Sequence, residues 1–134
     1  MMAAIELYRS EFRASRDLAE PYVMLGFNVF GADSLGRAKF LASSMQQAFV
    51  NLSSGRPSQL QPPAEGYAEG LGPQERALLD QVLSCASIGT PQIVRADLLN
   101  FIKQTGADEL MITSQIFDHA ARLRSFAIAA EALN

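Results

Sequence analysis

The polar residues whose types and spacing could do chemistry fall in two groups near the end of the chain: Thr113-Ser114-Gln115, and Asp118, His119 and Arg122. The first group follows Gly106-Ala107-Asp108-Glu109 and the apolar run Leu110-Met111-Ile112, which reads as a buried strand after a glycine turn. A polar corner just past the carboxyl end of a strand is where parallel α/β proteins hold ligands. The hydroxyls of Thr113 and Ser114 could face a bound ring there, with Gln115 beside them. The ordinary alternative is that they cap the turn backbone. Asp118 has the residue type of a helix N-cap. His119 then falls in the first helical turn, where positive charge is unfavourable and a neutral imidazole is preferred. It reads either as a surface histidine or as a proton donor or substrate contact at a pocket mouth. Arg122, four residues after Asp118, has the spacing of an ordinary salt bridge, with a phosphate contact as the sharper reading. Asn28 interrupts an apolar strand; it is either a buried amide satisfied by backbone or a polar group aimed into a ligand cavity. Cys85 reads as a small buried hydrophobe. Paired carboxylates, metal-ligand spacing, a P-loop and a nucleophile elbow are absent from the sequence.

The elements that must position these groups follow from periodicity and punctuation. Met1 to about Arg13 reads as a helix with Ile5, Tyr8 and Phe12 on one face and no capping signal, as if the chain opened inside a longer element. Ala14 to Pro21 is a polar connector. Tyr22 to Gly31 is the clearest strand, apolar enough to be covered on both faces. Asp33 or Ser34 caps a helix to about Leu52, with Leu35, Ala38, Leu41, Ala42, Met45, Ala48, Phe49 and Leu52 as its apolar face. Residues 53–72 form an irregular loop, long for a compact domain, that is either a lid over a site or a disordered insertion. Pro73 opens a helix that buries Leu78, Leu79, Val82 and Leu83. Cys85 to Gly89 is a short crossing, a weak strand at best. Thr90 and Pro91 start a helix ended by Gly106, with Ile93, Val94, Leu98, Phe101 and Ile102 inward. Leu123, Phe126, Ala127, Ala130 and Leu133 give the last helix its apolar stripe. The C-terminal third therefore reads helix–strand–loop–helix, the repeat of a parallel α/β fold.

Composition bounds the partners. The chain has 134 residues, 49% of them hydrophobic, which suffices for one domain with a core. A net charge of −3 with scattered Lys and Arg gives no nucleic-acid footprint. No apolar run approaches the roughly 18 residues that span a bilayer, so no membrane partner is expected. A single cysteine excludes an internal disulfide and fits a reducing, cytoplasmic setting. No metal site is expected.

Two segments carry a family resemblance. One is Tyr8-Arg9-Ser10-Glu11-Phe12-Arg13-Ala14-Ser15 followed by Leu18-Ala19-Glu20-Pro21-Tyr22-Val23-Met24-Leu25-Gly26. The other runs from Thr105-Gly106-Ala107-Asp108-Glu109-Leu110-Met111 to Asp118-His119-Ala120-Ala121-Arg122-Leu123-Arg124-Ser125. With Gly89-Thr90-Pro91 and the proline-rich loop between them, the chain resembles the C-terminal part of a luciferase-like flavin-dependent monooxygenase. The resemblance implies an α/β fold: part of a TIM-like (β/α)8 barrel, helix-rich, with two strong parallel strands and one weak one. It implies one partial domain over residues 1–134. It also implies reduced FMN, or the deazaflavin F420, used with dioxygen to oxidise a small organic substrate. On that reading Asn28, Thr113, Ser114, Gln115 and Arg122 would contact the cofactor and His119 would be catalytic. The family's Asp-Thr acidic helix start is replaced here by Asp33-Ser34-Leu35-Gly36, which keeps the cap and loses the early charges. A closed barrel takes about 250 residues, so this chain is expected either to need the missing N-terminal barrel strands or to pair its edges with another copy. A non-catalytic, self-associating helical module derived from such an enzyme is the alternative.

Overall fold

The computed structural model describes residues 1–134. Its axis is β1 (Met24–Gly31), which is hydrogen-bonded on both sides. On one side lies β2 (Ala86–Gly89), with Asn28 opposite Ala86 and Gly31 opposite Gly89. On the other lies β3 (Glu109–Thr113), with Met24 opposite Glu109 and Asn28 opposite Thr113. Both pairings are parallel, and the strand order is β2-β1-β3. Two longer strands and one short one are thus present, as the sequence implies, in an open sheet with two free edges.

Helices form two layers, because alternate residues of β1 point to opposite faces. Phe27 and Val29 pack with Val94, Leu98 and Phe101 of α4 (Pro91–Thr105) and with Ile128, Ala129 and Ala132 of α5 (His119–Leu133). The rings of Phe27 and Phe101 lie 4.7 Å apart. On the opposite face Phe30 packs with Ala38, Leu41, Ala42 and Met45 of α2 (Leu35–Ser53), and Val82 and Leu83, where α3 (Pro73–Val82) ends, lie against the same cluster. α1 (Met2–Glu11) is anchored at the amino ends of the strands. There Arg9 donates to the carbonyls of Thr105 at 3.0 Å and Gly106 at 2.6 Å. Gly106, at φ 61°, occupies the left-handed position that closes α4.

Several expectations are corrected. β1 is not covered on both faces throughout: Met24 is 48% exposed, because α2 reaches only its carboxyl-terminal half. The apolar stripe of α5 is not Leu123, Phe126 and Leu133, which are exposed; its buried line is Ser125, Ile128, Ala129 and Ala132. The cause is close approach. A Cβ on Gly31 would meet Cγ2 of Ile128 at 3.0 Å, so α5 sits tightly on β1 through its smaller side chains and leaves the bulky ones outside. Leu35 and Leu52 at the two ends of α2, and Ile93 in the first turn of α4, are also exposed, since no neighbouring layer reaches them. Ser34, not Asp33, caps α2, accepting from the Arg37 backbone at 3.2 Å. Thr90 holds the N-cap position of α4 without a side-chain bond, and Pro91 sets the first turn.

Residues 53–72, expected as a lid or an insertion, are irregular beyond Ser53, the last residue of α2, apart from a single 3-10 turn at Ala68–Gly70. They run as a strap along α2: Gln47 donates to the Pro62 carbonyl at 2.9 Å, and the Ala64 amide donates to the Ser43 hydroxyl at 2.8 Å. That strap explains why Ser43 and Gln46, polar residues outside the expected apolar face, are buried.

Candidate functional site

The carboxyl end of β1 and the start of α5 meet around a cleft of about 470 Å³. Its polar lining is Asp33, Ser34, Arg37, Asp118 and Arg124. The amino termini of α2 and α5 both reach it, and helix amino termini favour negative charge. Much of that preference is already met from within. Ser34 accepts from one terminus, and Asp118 accepts from the Ala121 backbone at 2.7 Å. Arg124 donates to a single Asp33 oxygen through Nη2 at 2.9 Å and Nε at 3.3 Å. That hydrogen bond, and the Asp33 charge behind it, raise the Arg124 guanidinium above its already high ordinary pKa. Arg37 is the cation of the cleft without a carboxylate partner; its guanidinium stands 5.1 Å from the centre of the Phe40 ring.

Of the residues singled out from sequence only Asp118 lines this cleft; the others fall elsewhere, four of them in two pairs. Asn28 and Thr113 face each other across the β1–β3 ladder, and the Thr113 hydroxyl donates to the Asn28 side-chain oxygen. The side-chain oxygen of Asn28 is therefore met by a side chain and not by backbone. Alternation places the pair on the sheet face that Met24 and Met111 share, where Met111 is 53% exposed. Ser114 is buried and its hydroxyl has no hydrogen-bond partner. Gln115 is exposed.

The second pair is His119 and Arg122, with Nη2 of Arg122 2.8 Å from Nδ1 of His119. A guanidinium only donates, so Nδ1 is the ring nitrogen placed to accept in this contact. The expected Asp118–Arg122 salt bridge does not form. The Asp118 carboxylate turns into the helix as its cap, and Arg122 folds back onto the His119 ring and the Ile116 carbonyl at 3.3 Å. No hydrogen bond links the Asn28–Thr113 pair to the His119–Arg122 pair.

Sequence reasoning missed Asp33, Arg37 and Arg124 as cleft residues. One signal was available: where Asp33 and Ser34 both compete for a cap, the loser's carboxylate is left to pair elsewhere. Nothing in the local sequence around Arg124 marks its partner, 91 residues away.

No family model matches the sequence. Relatives are found nevertheless. The protein YvbT of Bacillus subtilis (strain 168) is 44% identical over 128 residues, 96% of this chain and 38% of that protein. A luciferase-like monooxygenase of Escherichia coli (strain K12) is 43% identical over 129 residues, with the same shares. Among solved structures, the crystal structure of apo-MsnO8 superposes with a TM-score of 0.75 at 26% identity, covering 98% of this chain and 41% of that one. These likenesses set the chain beside one portion of proteins that include a named luciferase-like monooxygenase, the class that the sequence motifs resemble. The chain is a homologue of a portion of such proteins, and it spans 38% of the length of the curated relatives it matches.

Proposed function

We propose that this chain is a single partial domain, the C-terminal portion of a luciferase-like flavin-dependent monooxygenase, and that it acts in the cytoplasm together with the barrel strands it lacks. The observation that carries this reading is the sheet: three parallel strands, two free edges and a face left uncovered beside Met24 and Met111. Unpaired strand edges require partners, and the relatives are long enough to supply them.

The residues present fit one wall of a flavin site. The Asn28 amide nitrogen makes no hydrogen bond inside the protein, and the buried Ser114 hydroxyl is unpartnered at the carboxyl end of β3. With Thr113 and Gln115 they would offer donors and acceptors to the ring of reduced FMN, or of the deazaflavin F420 in the alternative. Arg122 would serve a phosphate, and His119 would hold a proton at Nε2 for a small organic substrate. The flavin supplies the redox chemistry with dioxygen when bound; these residues bind it, orient it and keep water away.

The test is complementation. The chain is co-expressed with the segment of YvbT that it does not match, and FMN binding is followed by fluorescence. Co-purification of the two pieces, with flavin bound by the pair and not by the chain alone, is expected. A chain that remains a monomer, ignores the YvbT segment and binds no flavin in either setting would overturn the reading. A second reading is favoured by the same uncovered face together with the exposed Leu123, Phe126 and Leu133: a non-catalytic module that self-associates. A dimer that resists dilution in light scattering, with no response to the YvbT segment, would select it.

A further inference from the structure

A second cleft, of about 350 Å³, lies between α2 and the strap. Phe40, Ser43 and Gln46 recur at three-residue spacing along α2 and form one wall. Tyr67 on the strap lines it too, as does Ile88, next to the last residue of β2. The position is again the carboxyl end of a parallel strand.

Gln46 is the anomaly. It is only 7% exposed, yet its side-chain amide makes no hydrogen bond within the protein. It also lines the adjoining cleft of about 370 Å³, so the residue stands between two spaces. The amide atoms are not sealed from water; they reach it through these clefts and present a free donor and a free acceptor there. The Ser43 hydroxyl is already committed to the Phe40 carbonyl and the Ala64 amide. The Tyr67 hydroxyl is not committed, and burial raises its pKa, which keeps it a neutral donor. At the rim stand Lys39, Glu65 and Glu69, one ammonium against two carboxylates, with no salt bridge among them.

We propose that this cleft is a binding site for a small, neutral, planar molecule carrying a carboxamide or lactam edge, held by the Gln46 amide and the Tyr67 hydroxyl. An amide presents one acceptor beside one donor, and the edge complementary to it is another amide. The apolar and aromatic walls, Phe40 and Ile88, suit a flat ring, and the excess of carboxylates at the rim disfavours an anion. The volume lies at the small end of the range for such sites. The inference is independent of the flavin reading, because the chain builds this cleft by itself.

The test is titration of the 15N-labelled chain with nicotinamide, uracil and benzoate, following the side-chain NH2 signals of Gln46, which are assigned by their loss in Gln46→Leu. Saturable shifts of those signals with nicotinamide or uracil, and none with benzoate, are expected. Gln46→Leu should remain folded, since it replaces an unpartnered amide with an apolar group, and should weaken binding by about tenfold or more. If that variant fails to fold, Tyr67→Phe carries the same expectation of weaker binding. Equal binding of benzoate, undiminished binding by the variant, or no saturable shift with either amide probe would overturn the proposal.

Discussion

Ser125 does the work of a strand residue. β3 ends opposite Asn28, so the backbone of β1 beyond that point has no partner on this side. The Ser125 hydroxyl accepts from the Gly31 amide at 2.9 Å and donates to the Val29 carbonyl at 3.0 Å. That is the pairing a parallel neighbour would have made, supplied by a helix. Ser125→Ala should leave a buried N–H and a buried C=O unsatisfied and lower stability by about 2–3 kcal/mol, read from the denaturant midpoint. Tyr22 offers a second check at this scale. Its phenol donates to Glu109 at 3.0 Å, and that bond, followed by burial and the nearby carboxylate charges, raises its pKa above 10.0. Folding therefore favours the neutral phenol. The benefit is complete below the pKa of free tyrosine and is lost as pH rises through the higher folded value. In an alkaline absorbance titration Tyr22 should ionise later than free tyrosine, and Glu109→Gln should bring it back toward the ordinary value.

At the scale of elements, ends matter more than middles. Asp118 caps α5 while Arg122, one turn on, bonds only an exposed histidine and a carbonyl. Asp118→Ala should cost about 1 kcal/mol, and Arg122→Ala less than about 0.5 kcal/mol, in the same unfolding measurement. Gly106→Ala should cost about 1–2 kcal/mol, because a Cβ there combines a left-handed backbone with a 3.2 Å approach to the Arg9 guanidinium. These ends were legible in the sequence because Pro91, Gly106 and Asp118 act on their own neighbours. The faces of α5 and α2 were not. Which side of α5 turns inward depends on how closely it can approach Gly31, and the burial of Gln46 depends on a strap whose own sequence has no periodicity. The cleft at the strand ends was half legible. The strand–loop–helix pattern reached Asp118 at the start of α5 but put the polar corner at residues 113–115, which do not line the cleft, and Arg124 meets Asp33 only through tertiary folding.

The whole molecule is a sheet finished on one side. α4 and α5 cover one face, and α2 covers part of the other, leaving Met24, Gly26 and Met111 beside the Asn28–Thr113 pair. Replacing Met24 and Met111 with threonine should leave the isolated chain about as stable, since neither side chain is buried, and should weaken its pairing with the uncovered segment of YvbT in the complementation assay. A finished surface would show no such loss. Sequence order hides one further property. The central strand comes first in the chain, yet one neighbour begins at Ala86 and the bonded partner of Asn28 on the other stands 85 residues away. As the chain emerges from the ribosome, this apolar strand must wait without its ladder until nearly all the residues that flank it have been made. Contacts of that reach slow folding and expose an aggregation-prone segment meanwhile. Yield in the cell should therefore depend on chaperone supply and translation speed more than the final stability of the fold suggests.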